Sequence, residues 1–143
     1  MKIILSIALL LSSSSLRASN NINSQKLTSE NDTTYSYYDA TRNKYVLRGD
    51  TLEYTPVKPA ESSSGIYDGG KYVKREISAS DKNYIVLLFI KAKASKKAQT
   101  GKNIKPNAFV EIEWVNRNEN FILKAASSIN IELKNLLQQL LIN

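Results

Sequence analysis

The chain predicts an α+β fold: an antiparallel sheet of short strands with two helices packed on one face. Short alternating runs broken by turn residues fill the first half of the structured region. A lone apolar run at 84–90 follows, and a leucine pattern of helical period closes the chain. Strands and helices are segregated rather than strictly alternating, which argues against a parallel α/β sheet.

The first runs pair Tyr35 with Tyr37, Tyr45 with Leu47, and Leu52 with Tyr54, separated by residues 39–43 and by Arg48-Gly49-Asp50. β-Favouring residues at period two, interrupted by Asp, Asn and Gly, predict a meander of antiparallel strands. Pro56 and Pro59 end it, Glu61-Ser62-Ser63-Ser64-Gly65 extends a loop, and Asp68-Gly69-Gly70 marks a tight turn before a strand over 71–77. The apolar run 84–90 fits a buried strand or a buried helix by length alone. Ser80-Asp81 as an N-cap selects helix, as do the shared face of Tyr84, Leu88 and Ala92, with Ile85 and Phe89 beside it, and the continuation through 91–94.

A lysine-rich linker over 95–107 leads to 108–115. There Val110, Ile112 and Trp114 alternate with Phe109, Glu111 and Glu113, as in a strand with one buried face. Residues 116–120 read as a turn, and 121–124 return as the hairpin partner. Leu133, Leu136, Leu137, Leu140 and Leu141 fall at i, i+3, i+4, i+7 and i+8, predicting an amphipathic helix that starts near Asn130. No internal repeat is evident.

Met1-Lys2, the apolar stretch 3–11 and the serine-rich segment ending Leu16-Arg17-Ala18 follow the charged, apolar, small-residue order of a cleavable signal peptide. That stretch is about half of the roughly 20 residues needed to span a bilayer, so residues 1–18 read as an export signal and not an anchor. Residues 19–34, polar and rich in asparagine and serine, read as a flexible leader, and 35–143 as a single α+β domain. The expected product is secreted or periplasmic. Of 20 basic residues, Lys2 and Arg17 leave with the signal, so 18 stand against 13 acidic ones and the product keeps a net charge of +5.

The chain has no histidine and no cysteine. Thiol nucleophiles, disulfides, lipid-modified cysteine and Cys/His zinc sites are thereby excluded, along with the commonest general base. No Gly-x-Ser-x-Gly or phosphate-loop pattern occurs, so no catalytic residue, metal or cofactor is expected. Glu111 and Glu113, about 7 Å apart on one strand face, are the sole acid–base pair on offer, but alternation alone explains both as a solvated face opposite Val110, Ile112 and Trp114.

Lys91, Lys93, Lys96, Lys97, Lys102 and Lys105 place six positive charges within 15 residues with no acidic residue among them. Such a block can attract an anionic envelope polymer or lipid surface. The lack of interleaved aromatics speaks against nucleic acid. The plainer explanation is a solvated helix end, where lysines also suit the dipole. The loop 56–70, stiffened by proline, offers Ser62, Ser63, Ser64, Tyr67 and Asp68 to a protein partner. All eight tyrosines lie between 35 and 84, where sheet packing or an exposed binding face would use them, and Tyr37 and Tyr38 must point to opposite faces. Arg48-Gly49-Asp50 is a tripeptide that adhesion receptors recognise, but a glycine turn explains it locally.

Leu52-Glu53-Tyr54-Thr55-Pro56-Val57-Lys58-Pro59-Ala60-Glu61-Ser62-Ser63-Ser64-Gly65-Ile66-Tyr67-Asp68-Gly69-Gly70, with Ile77-Ser78 and the Tyr84-Ile85 helix, resembles small secreted bacterial proteins of unknown function. The resemblance covers residues 51–94. It implies a helix after Ser80 and a bacterial exported origin, and no activity. The sequence thus leads to an exported, non-catalytic binding or envelope-associated protein that contacts an anionic polymer or membrane surface through its lysine-rich segment. A secreted inhibitor or interaction module presenting the 56–70 loop is the alternative.

Overall fold

The computed structural model describes residues 32–142, so the expected signal over 1–18 and most of the expected leader lie outside the described residues. Seven strands form one antiparallel sheet: β1 Thr34–Tyr38, β2 Lys44–Arg48, β3 Thr51–Thr55, β4 Val73–Glu76, β5 Gln99–Thr100, β6 Ala108–Trp114 and β7 Arg117–Leu123. Their order is β4-β3-β2-β1-β6-β7-β5. Helices α1 Ala79–Ala94 and α2 Ser128–Ile142 pack side by side on one face, as expected. The strand expected to open at Tyr35 includes Thr34, the last residue assigned to the leader.

Alternation decides what each face carries. In register across the sheet, Tyr54, Tyr45, Tyr37, Val110 and Phe121 form one row facing the helices. Leu52, Leu47, Tyr35 and Ile112 form the next. The helices close over them with Ile85, Leu88, Phe89 and Ala92 from α1 and Leu133 and Leu137 from α2, giving a single core. Each of the leucine, isoleucine and phenylalanine side chains contributes roughly 1.5–3 kcal/mol of apolar burial.

Several element ends differ from expectation. The cap of α1 is Ser78, two residues before Ser80-Asp81: its Oγ accepts from the Asp81 amide and donates to Asp81 Oδ2 at 2.6 Å. Asp81 therefore stands three residues after the cap, where a carboxylate can answer the hydroxyl and complement the helix dipole. Tyr84 is not on the buried face; it is half-exposed at the rim, its hydroxyl bonded to Glu132 of α2.

The linker 95–107 is more structured than its lysines suggest. It holds a 3-10 turn, Lys96–Ala98, with Ala98 buried, and then the edge strand β5, too short to show any period. Gln99 Nε2 donates to the carbonyls of Ala92 and Lys93 at 2.8 and 2.9 Å, satisfying acceptors at the end of α1. Residues 117–120, read as turn, are the first half of β7. They are polar and exposed or half-exposed, so no apolar period betrays their strand. The strand expected over 71–77 is limited to β4, and α2 begins at Ser128, two residues before Asn130.

Candidate functional site

The second face of the sheet has no described helix or strand over it, and its side chains are the alternate partners of the core positions. Register places Glu76, Thr51, Arg48, Thr34, Glu113 and Asn118 side by side in one row. The next row runs Lys74, Glu53, Val46, Ser36, Glu111, Asn120. A third runs Thr55, Lys44, Tyr38, Phe109, Ile122. Small side chains at Thr34 and Ser36 on the central strand, flanked by long ones on β2, β3 and β4, leave a shallow basin of about 330 Å³. Thr34, Ser36, Val46, Thr51, Lys44, Arg48, Lys74, Glu53 and Glu113 line it.

The basin is polar, with three cations and two carboxylates. Arg48 Nε donates to Thr34 Oγ1 at 3.1 Å, which aims the guanidinium along the floor. Lys44 Nζ lies 5.3 Å from the centre of the Tyr38 ring, and Tyr38 meets Phe109 edge-on at 5.5 Å. Among the described residues, no ion pair within 4 Å neutralises Lys44, Arg48 or Lys74. Tyr72, half-exposed, lies near Glu53, and partial burial and that carboxylate both hold its phenol above the usual range.

No protein-family model and no curated protein matches the chain.

The six lysines singled out in the sequence are dispersed over three local structures. Lys91 and Lys93 are in the last turn of α1, Lys96 and Lys97 in the 3-10 turn, and Lys102 and Lys105 in the loop before β6. Lys93 pairs with Glu119 at 2.7 Å and lies 5.0 Å from the Trp114 ring, on which Arg117 also stacks at 3.9 Å. The Lys93 bond, followed by the nearby positive charges, holds the Glu119 carboxyl below its usual range. Lys105 reaches Ser63 at 3.0 Å, joining the lysine segment to the 56–70 loop.

That loop is anchored on both sides. Ser62 Oγ donates to the Pro59 carbonyl, Ser64 Oγ accepts from the Ile66 and Tyr67 amides, and Asp68 accepts from Gly70. The Tyr67 hydroxyl accepts from Asn43 and Thr41 at 2.9 and 3.2 Å. The large apolar side chain most exposed in the loop is Ile66, 84% exposed, which no sequence motif singles out.

Glu111 and Glu113 do share a face, as expected; Glu111 accepts from Asn118 at 2.8 Å, and Glu113 lines the basin. Arg48-Gly49-Asp50 is the β2–β3 turn, with Gly49 at φ 56°. Its ends are engaged inside the fold, Arg48 on Thr34 and Asp50 on Lys82 at 2.8 Å. Among the described residues, no cluster of three or more His, Cys, Asp or Glu could hold a metal, and no helix is long and apolar enough to cross a membrane.

Lys44, Arg48 and Lys74 were missed in the sequence because they form no charge run. The signal that marks them is the other half of the alternation that revealed the core: where Tyr45 and Leu47 point in, Lys44 and Arg48 point out.

Proposed function

We propose that the chain is an exported, non-catalytic binding protein that holds an anionic partner on the uncovered face of its sheet. The observation that carries this is the convergence of Lys44, Arg48 and Lys74, without neutralising ion pairs among the described residues, on one basin. A concave surface bearing unpaired charge focuses its field on a partner of opposite sign. The order of residues 1–18 and the resemblance over 51–94 support export, and the absence of histidine and cysteine supports binding over catalysis. The lysine segment 91–105 adds long-range attraction.

Titration of the purified chain with polyphosphate tests the proposal. Affinity is expected to fall steeply between 50 and 500 mM salt, since exposed charges are screened over about 10 Å at 0.1 M. The K44A/K74A variant should lose at least about tenfold in affinity at low salt. Salt-independent binding, or failure of polyphosphate and of an acidic oligosaccharide alike to bind, rejects the proposal. Loss confined to K96A/K97A/K102A/K105A moves the contact from the basin to the lysine segment.

Ile66 favours a second reading, a loop that inserts an aliphatic side chain into the cleft of a partner such as an endopeptidase of aliphatic specificity. Scaffold bonds on both sides of an exposed residue lower the entropy lost on binding. Reversible inhibition of such an enzyme, abolished by Ile66→Asp, is the expected outcome; rapid cleavage of the loop without inhibition rules it out.

A further inference from the structure

We infer that the ligand of the uncovered face is a carboxylate-bearing oligosaccharide; this rests on the anionic-partner proposal and narrows it. Four features of the basin separate such a ligand from a simple polyanion.

The first is mixed sign. Glu53 and Glu113 stand in the same basin as Lys44, Arg48 and Lys74. A phosphate polymer or an anionic lipid surface is dense in negative charge and meets repulsion from both carboxylates, whereas sugar hydroxyls are donors that carboxylates accept. The second is hydroxyl lining. Thr51 can donate and accept, matching ring hydroxyls and ring oxygens, above a hydroxyl-bearing floor of the buried Thr34 and Ser36. Arg48, bonded among the described residues through Nε alone, retains a planar fork of N–H donors suited to a carboxylate.

The third is the aromatic border. Tyr38 extends the floor beyond Lys44, its ring held by Phe109, and Tyr72 flanks Glu53 on the β4 side. Aromatic rings offer an apolar face beside a polar tip, the pairing that a sugar's C–H face and equatorial hydroxyls require. Lastly, a volume of about 330 Å³ lies at the small end of ligand sites and leaves the basin open at its rim, so a chain can continue past it.

The test uses isothermal titration of the purified chain with tetragalacturonate, a hyaluronan tetrasaccharide, the carboxyl-reduced neutral form of each, and polyphosphate. At least one acidic tetrasaccharide should bind, with affinity lowered tenfold or more by carboxyl reduction. Tyr38→Ala and Glu53→Gln should each weaken that binding about fivefold or more while polyphosphate binding is unchanged or, for Glu53→Gln, strengthened. Circular dichroism confirms that both variants fold; if Tyr38→Ala does not, Tyr38→Leu replaces it. Polyphosphate binding with neither acidic tetrasaccharide bound overturns this inference and leaves the anionic-partner proposal standing. Saccharide binding indifferent to both substitutions overturns it too, and failure of every polyanion overturns both.

Discussion

Gly69 shows how one residue can hold a loop to the body of the fold. A methyl group there would stand 2.2 Å from Asn43 Oδ1, 2.9 Å from Pro56 Cβ and 3.0 Å from the Val57 amide nitrogen. None of these is a flexible side-chain end. Asn43 is buried and fixed, donating to Asp39 at 2.9 Å and accepting from the Val57 amide at 3.0 Å. Gly69 itself donates to the Val57 carbonyl and accepts from the Tyr54 hydroxyl at 2.6 Å. Gly69→Ala should therefore destabilise the protein by about 1–3 kcal/mol through overpacking, read as a lower urea midpoint with the slope unchanged. An unchanged midpoint would show that the loop shifts freely. In the sequence, Asp68-Gly69-Gly70 announced a turn, but Gly70 has the positive φ, 97°, and Gly69 is the close approach. Spacing cannot separate those two roles, because the second depends on Asn43, far away in the chain.

At the scale of elements, the tyrosines form a row across three strands. The rings of Tyr54 and Tyr45 are 4.9 Å apart, and those of Tyr45 and Tyr37 5.8 Å. Two hydroxyls bond across elements, Tyr37 donating to Asn130 of α2 at 2.8 Å and Tyr54 to the Gly69 carbonyl, while the Tyr45 hydroxyl lies near Gln138 of α2. The row thus ties strand, helix and loop together by packing and by hydrogen bonds. Burial first, then the nearby Asp39 charge, raises the Tyr37 and Tyr45 phenols well above their usual range; burial first, then neighbouring charges, pushes Tyr54 up to about 12. Because the fold holds these protons more tightly than the unfolded chain, the associated stability is complete below about pH 10 and is lost as pH rises through that value toward the folded ones. A phenolate absorbance titration should accordingly be biphasic, with the Tyr37 and Tyr45 signal appearing only as the fold is lost. A single smooth phase near pH 10 with intact circular dichroism would contradict this. The sheet packing of these residues was legible from their period of two; their linkage to Asn130 and Gln138 was not.

At the scale of the molecule, the first described strand is the centre of the sheet. β1 pairs with β2, its neighbour in sequence, and with β6, which lies some 70 residues later. That second pairing fuses the two halves, β1 to β4 with α1 and β5 to β7 with α2, into one core, and it requires closing a long loop before any contact rewards it. The same pairing sets Glu113 opposite Thr34 and so completes the basin with a residue from the other half. Charge follows a different logic. The densest lysine run spreads over a helix end, a turn and a loop, and Lys93 is paired with Glu119, while three lone basic residues from β2 and β4 share one surface.

By itself, the sequence determined the α+β class, the three-strand meander, both helices and the buried half of each alternating strand. These depend on local period, which burial imposes directly on residue order. Tertiary structure alone decided the order of the strands, the two-residue β5 and the membership of the basin. Each of these depends on which segments distant in sequence become neighbours, and hydrophobic period states that a face is buried without naming what buries it.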